Sequence, residues 1–164
     1  METLHALADE IAACTACPLS EGRTQTVPGV GDPQADLLVI GEAPGAEEDR
    51  RGEPFVGRAG KLLDAMLAAI HRNRADGAYI ANVVKCRPPN NRDPDPAEVA
   101  ACEGFLRRQI AALQPKVILA VGRVSAQQLL RSDQPLGRLR GRAHDYNGTP
   151  LFVSYHPAYL LRNP

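Results

Sequence analysis

The sequence has few aromatic residues and no long apolar stretch. Phe, Tyr and Trp together make up 4% of its 164 residues, and Trp is absent. No apolar run approaches the roughly 20 residues that a membrane-spanning helix requires, so we expect no membrane segment. The amino-terminal METLHALADEIAAC lacks the basic start and unbroken apolar stretch of a signal peptide. These absences predict a cytoplasmic protein.

Net charge is also lacking. With 19 basic and 19 acidic residues the formal net charge is zero, so only local clustering of charge could favour nucleic-acid binding. Lysine occurs only at Lys61, Lys85 and Lys116, and the remaining basic residues are arginine. Arginine carries a planar guanidinium suited to phosphate, although an Arg- and Ala-rich genome explains the same bias equally well.

The length and composition are typical of one folded domain. A chain of 164 residues, 44% of them hydrophobic, can bury a full core and is not expected to be disordered. We therefore expect a single domain over residues 1–164, and a monomer.

Short apolar runs alternate with helical patterns along the chain. Runs of this length, apolar nearly throughout, indicate strands buried on both faces. The predicted strands are Asp36–Ile40, Ala78–Val84, Val117–Val121 and Leu151–Tyr155. The predicted helices between them are Gly60–His71, Asp95–Leu113 and Val124–Leu130. This alternation predicts an α/β fold, a three-layer α/β/α sandwich with a central four-stranded parallel sheet, whose ligands bind beyond the carboxyl ends of the strands.

The cysteines form a pattern of their own. Cys14 and Cys17 make a CxxC motif, and Cys86 and Cys102 lie far along the chain. Disulfides are disfavoured in a reducing compartment, and a CxxC motif with two distant cysteines is typical of a four-ligand metal site. A redox CxxC is the alternative, but it usually opens a helix after a strand and no strand precedes this one. Zinc and iron–sulphur clusters both accept thiolates, so the spacing leaves the metal open.

Unusual residues lie in or after three of the predicted strands. Gly41 opens the segment GEAPG, in which two glycines and a proline let the backbone approach a ligand. Phe55 lies in the glycine-rich loop that comes next, where an aromatic ring can stack on a flat base or simply cap the core. Asn82 can offer a donor and an acceptor to a pyrimidine edge, or serve as a structural hydrogen bonder. His156 lies at the same rim and opens a helix, which makes it a candidate for the active site.

Together these segments resemble the family-4 uracil-DNA glycosylases, the iron–sulphur group of the uracil-DNA glycosylase superfamily. The matching motifs are GEAPG, EPFVGRAGKLLD, NVVKCRPPNNR and YHPAYLLRNP, in that order. The resemblance implies uracil excision from DNA and a [4Fe–4S] cluster on the four cysteines. It also implies that uracil is bound by residues from all of these motifs: Gly41, Glu42, Ala43, Phe55, Asn82 and His156.

The resemblance implies roles for individual residues as well. Phe55 would stack on the base, Asn82 would read its edge and His156 would contact a carbonyl oxygen. Better-known superfamily members carry Gln-Asp-Pro, with Asp orienting the water, where this chain has Glu42-Ala43-Pro44. We therefore expect Glu42, or next Glu48, to position the water, and Glu42 to exclude the methyl group of thymine.

Basic residues near the rim are candidates for binding the phosphates of single- or double-stranded DNA. They are Arg58, Lys85, Arg87 and Arg162 of the rim segments, and Arg138, Arg140 and Arg142 of a predicted basic loop before the last strand. Leu160 and Leu161 could wedge into the base stack or pack on the core. Two other classes of function remain: a non-catalytic iron–sulphur or zinc module that binds nucleic acid, and a nucleotide hydrolase. The sequence lacks GxxxxGK[ST], which argues against the hydrolase.

Overall fold

The computed structural model describes residues 1–163, which form one sheet flanked by helices. The strands are β1 (Val30–Gly31), β2 (Leu37–Gly41), β3 (Ala78–Asn82), β4 (Val117–Val121), β5 (His144–Tyr146) and β6 (Thr149–Ser154). The helices are α1 (Leu4–Ala12), α2 (Leu19–Gly22), α3 (Ala46–Arg51), α4 (Arg58–Ala69), α5 (Pro96–Leu113), α6 (Arg123–Leu130), α7 (Leu136–Leu139) and α8 (Pro157–Arg162). A 3-10 turn covers Pro89–Asn91. Among residues 1–163, no helix is both long and apolar enough to cross a membrane.

The sheet has the strand order β1-β3-β2-β4-β6-β5. Strands β3, β2, β4 and β6 pair in parallel, and β1 and β5 add antiparallel edges. The α/β class is confirmed, but the sheet is mixed and six-stranded rather than four-stranded. Both edge strands are too short to give a periodic signal. The hairpin from β5 to β6 does carry a turn signal, because Asn147-Gly148 adopts the positive φ angles of 48° and 93° that such turns require.

The sheet is buried on both faces. Along β2, Leu38 and Ile40 join the apolar cluster that includes Leu106 of α5. Leu37 and Val39 point to the opposite face, in the cluster that includes Leu63 of α4. Because side chains alternate across a strand, a run apolar at every position needs a helical layer on each side.

The helix ends follow from local sequence. Helix α5 begins as predicted, with Asp95 as its N-cap, Pro96 in the first turn and Glu98 completing a capping box. Helix α4 begins two residues before the prediction, at Arg58, and ends at Ala69. These helices cover the faces of the sheet and leave the carboxyl ends of its parallel strands for the loops that carry the unusual motifs.

Candidate active site

The loops at the carboxyl ends of the parallel strands enclose a cleft made of two adjoining cavities. Their volumes are about 570 Å³ and about 280 Å³. Lining residues common to both cavities are Ala43, Gly45, Glu48, Ala59, Asn91 and His156. The cleft therefore lies where the strand assignment predicts a ligand site.

Three side chains from separate chain segments meet at the smaller cavity. Phe55 comes from the loop before α4, Asn82 ends β3, and His156 follows β6. The rings of Phe55 and His156 stack with their centroids 5.3 Å apart and their planes at 26°. An aromatic face, an amide and an imidazole thus line one space, a combination that can stack on a pyrimidine base and hydrogen-bond to its edge.

Phe55 is held in an uncommon backbone conformation. Its φ angle is 52°, in the left-handed region that non-glycine residues seldom adopt. Arg74 holds this turn by donating to the Pro54 carbonyl at 2.6 Å and to the Phe55 carbonyl. Gly60 permits the turn, because a Cβ there would lie 1.8 Å from the Phe55 carbonyl oxygen. Arg74 belongs to none of the rim motifs, and no sequence pattern indicates its role.

Asn82 carries a buried side-chain acceptor that has no partner. Its side chain is 2% exposed, and its Oδ1 atom has no hydrogen-bond partner among the described residues. A buried acceptor without a partner costs roughly 1–3 kcal/mol, which a ligand N–H would relieve. Gly41 allows the amide to sit here, since a Cβ would lie 2.6 Å from Asn82 Oδ1 and 2.7 Å from Phe55 Cζ.

His156 is fixed in one tautomer by the helix that it begins. It is the N-cap of α8, and its Nδ1 accepts a hydrogen bond from the Ala158 amide at 3.0 Å. Since Nδ1 is an acceptor, the proton of the neutral ring lies on Nε2. Burial lowers the pKa of His156 and Arg162 lowers it further, against the opposing effect of Glu48. His156 is therefore a neutral imidazole with a donor at Nε2.

Glu42 lines the larger cavity together with Asp93 and Arg123. Burial raises the pKa of Glu42 to about 8, helped by a hydrogen bond and charge repulsion from Asp93, while Arg123 opposes the shift. Arg123 donates to Asp93 at 2.9 Å. Burial and the Asp93 carboxylate therefore favour the protonated form of Glu42. Asp93 comes directly after the NVVKCRPPNNR segment, and no sequence pattern indicates its role.

Glu48 joins two loops of the cleft. Its Oε1 accepts from the Gly45 amide and its Oε2 from the Val56 amide, each at 3.0 Å. Both carboxylate oxygens are thus engaged by backbone donors, so Glu48 fixes the shape of the wall. Its neighbour Ala43 contributes to both cavities.

The predicted DNA-binding residues differ in exposure. Arg58, Arg138, Arg140, Arg142 and Arg162 are exposed. The prediction for Lys85 is wrong, because Lys85 is 1% exposed and no phosphate can reach it. Arg87 is half-buried and donates to Asn91 Oδ1 at 2.7 Å.

The basic segment before the last strand is not a simple loop. Helix α7 covers its first half, and β5 separates the segment from β6. The Arg140 guanidinium lies 4.1 Å above the ring of Tyr155, which stacks on Tyr159 with centroids 5.0 Å apart. Tyr159 is 44% exposed at the cleft, whereas Leu160 and Leu161 are half-buried.

The cysteines lie together away from the cleft. One cavity is lined by all of them: Cys14, Cys17, Cys86 and Cys102. Arg23 Nη1 donates to the sulfur of Cys86 at 3.3 Å, and burial raises the pKa of Cys102 to about 11. No group of three or more His, Cys, Asp or Glu side chains within residues 1–163 is arranged to hold a single metal ion. Four thiols facing one cavity, with a cation donating to sulfur, match the donor type of a thiolate-ligated cluster.

Comparisons with known proteins identify the relatives of this chain. The family model of the uracil DNA glycosylase superfamily matches residues 28–164. A type-4 uracil-DNA glycosylase of Archaeoglobus fulgidus is 44% identical, covering 100% of this chain and 86% of the relative. A type-4 uracil-DNA glycosylase of Thermotoga maritima is 43% identical, covering 99% of this chain and 85% of the relative. A type-5 uracil-DNA glycosylase of Thermus thermophilus is 34% identical, covering 79% of this chain and 68% of the relative.

Proposed function

The chain belongs to the uracil-DNA glycosylase superfamily, and we propose that it removes uracil from DNA by hydrolysing the N-glycosidic bond, as a single-domain monomer. The observation that carries this proposal is the convergence of Phe55, Asn82 and His156 on one cavity. Uracil within a duplex is stacked and paired, so the base must first leave the helix. Flipping costs a few kcal/mol, and less at a mismatch.

Recognition of the base rests on Asn82 and Phe55. The unpaired Oδ1 of Asn82 accepts from uracil N3–H, and its amide nitrogen donates to O4. Cytosine offers an unprotonated N3 and an amino group at these positions, so both hydrogen bonds are lost. Leaving buried polar groups unpaired makes such rejection strong. The ring of Phe55 stacks on the base.

Catalysis rests on charge stabilisation by His156. Bond cleavage separates an oxocarbenium-like sugar from a uracil anion, so a donor aimed at the developing charge accelerates the reaction. The neutral ring presents Nε2–H because Nδ1 is committed to the Ala158 amide. His156 donates this hydrogen bond to uracil O2.

Glu42 is our candidate for orienting the water, and it also walls the space beside uracil C5 against the methyl group of thymine. The nearby Asp93 carboxyl, which raises the pKa of Glu42, supports the first role, because a carboxyl pair can hold or release a proton near neutral pH. Glu48, our second candidate, has both oxygens engaged by backbone amides and shapes the wall. Release of thymine by Glu42→Gly tests the second role, and unchanged exclusion of thymine would rule out the wall.

We propose that the four cysteines hold a [4Fe–4S] cluster. The cluster's contribution is structural: it ties the amino-terminal segment to the end of β3 and to α5. Anaerobic purification should yield a coloured protein with iron and sulphide, and a colourless protein containing zinc would contradict the assignment. The exposed arginines at and beside the cleft supply contacts to DNA phosphates, with Lys85 removed from that set.

The decisive experiment is an assay for free uracil. A single-uracil oligonucleotide should yield uracil and an abasic site, while the matched oligonucleotide with thymine or cytosine should remain intact. His156→Ala is the matched inactive variant. Binding of the uracil-containing strand without release of uracil would favour a non-catalytic nucleic-acid-binding module instead.

A further inference from the structure

A fully buried lysine lies between the two sites. Lys85 is 1% exposed, and its Nζ donates to the backbone carbonyl of Asn82 at 2.6 Å and to Gln109 Oε1 at 2.7 Å. Gln109, itself 2% exposed, donates from Nε2 to the Pro28 carbonyl at 2.7 Å. The ammonium is thus held by a chain of hydrogen bonds that runs from α5 to the carboxyl end of β3.

The same lysine belongs to the cysteine site. It lines the cavity that the four cysteines share, and it directly precedes Cys86 in the chain. Its own carbonyl accepts from the Val27 amide at 2.7 Å, which fixes the backbone next to the cysteine. One residue therefore contacts both the cysteine cavity and the backbone of Asn82, whose side chain lines the smaller cleft cavity.

Packing alone does not account for a lysine at this position. Burying a cation is costly unless charge and hydrogen bonds compensate it, and an apolar residue of similar size would avoid that cost. Both hydrogen-bond acceptors of Lys85 are neutral oxygens. What the ammonium provides is a fixed link to the backbone carbonyl of Asn82, the residue whose side-chain Oδ1 lacks a partner.

We propose that Lys85 is a positioning residue that couples the cysteine site to the pyrimidine pocket by holding the Asn82 backbone, and so the Asn82 amide, in register with the base. This rests on the proposed function of the cleft. A cluster bound at the cysteine site fixes the backbone at Cys86, and Lys85, the preceding residue, in turn holds the Asn82 backbone. The cluster thus supports base recognition without contacting the base.

The test compares holoenzyme variants in their binding of free uracil. Lys85→Met keeps an unbranched side chain, one atom shorter, and removes the ammonium. We expect its dissociation constant for free uracil, measured by calorimetry, to rise about tenfold, as expected when one buried hydrogen bond is misaligned. Iron and sulphide per chain should stay at the wild-type level, and the KM for uracil-containing DNA should change less than kcat.

Leu106→Ala is the matched control. Leu106 is 4% exposed and lies on α5, one turn before Gln109. Its truncation should lower the thermal stability but leave the affinity for free uracil unchanged. If Leu106→Ala weakens uracil binding as much as Lys85→Met, the effect reflects general destabilisation and the proposal is overturned.

Gln109→Met keeps the experiment decisive if Lys85→Met does not fold. It leaves the ammonium in place and removes one of its two acceptors, so we expect a smaller rise, about threefold, in the same dissociation constant. Wild-type uracil affinity in the folded variants overturns the role of Lys85. In that case continued uracil release by the wild type would leave the glycosylase assignment intact, whereas a wild type that releases no uracil refutes that assignment itself.

Discussion

Replacing His156 should lower both the stability of the protein and the rate of cleavage, because its two ring nitrogens have different roles. Nδ1 caps α8 by accepting from the Ala158 amide at 3.0 Å, and Nε2 carries the proton that we assign to uracil O2. Losing an N-cap costs roughly 0.5–2 kcal/mol of stability. Losing one preorganised donor to a developing anion costs roughly 100- to 1,000-fold in rate. We expect His156→Ala to show both.

Substitution by asparagine separates the two effects. Asparagine is a good N-cap, so His156→Asn should regain most of the stability that His156→Ala loses. Its side chain does not extend to the position of Nε2, so the single-turnover rate should remain low. The assays are chemical unfolding for stability and quenched single-turnover cleavage of a uracil-containing oligonucleotide for rate. A rate near wild type in either variant would remove His156 from the mechanism.

The pH dependence gives an independent check on the tautomer. Burial lowers the pKa of folded His156 below its ordinary value of 6.5, so below that pH the unfolded chain binds more protons than the folded one. The stability contributed by the neutral ring is therefore complete above pH 6.5 and is lost as the pH falls from there to the folded pKa. His156→Asn should lack this loss. Equal pH dependence of unfolding in the two proteins would contradict a neutral capping imidazole.

Three further predictions concern the cleft. Because the pKa of Glu42 is about 8, cleavage that needs its carboxylate should rise between pH 7 and 9, and Asp93→Asn should move the rise to lower pH; an unmoved pH–rate profile would contradict the pairing. Gly41→Ala places a Cβ 2.6 Å from the nearest pocket oxygen, so single-turnover cleavage should fall on the order of 100-fold while the protein still unfolds cooperatively. Normal cleavage by this variant would show that the pocket tolerates the methyl group. Arg140→Ala should reduce the slope of log affinity against log salt by about one, whereas Arg72→Ala, ion-paired at the other end of the sheet, should leave it unchanged. Equal slopes for the wild type and Arg140→Ala would remove that phosphate contact.

Much of the site could be predicted because strand order places motifs at one rim. Asn82 ends one parallel strand, Phe55 and His156 lie in segments that follow two others, and parallel strands bring their carboxyl ends together whatever their spacing in the chain. The residues that hold this site in place were missed. Arg74 comes after α4, and its guanidinium donates a hydrogen bond back to the Phe55 carbonyl, a contact that no local pattern predicts.

The error at Lys85 has the same origin. A basic residue in a rim segment is usually solvated, so the sequence favours a contact with DNA. The chain instead turns inward after Asn82, and α5 supplies Gln109 as an acceptor for the ammonium. Exposure is a property of the packed molecule, and a single residue type predicts it poorly.

By itself the sequence determined the α/β class, the rim that carries the ligand site and the set of cysteines, because each depends on local pattern or on chain order. The tertiary structure decided which polar groups are buried, which partners they find and how those partners shift their pKa values, as in Glu42 beside Asp93. Such properties arise where segments that are distant in the chain pack together and exclude water from the groups between them. Burial of this kind exists only once the helical layers have packed on the sheet.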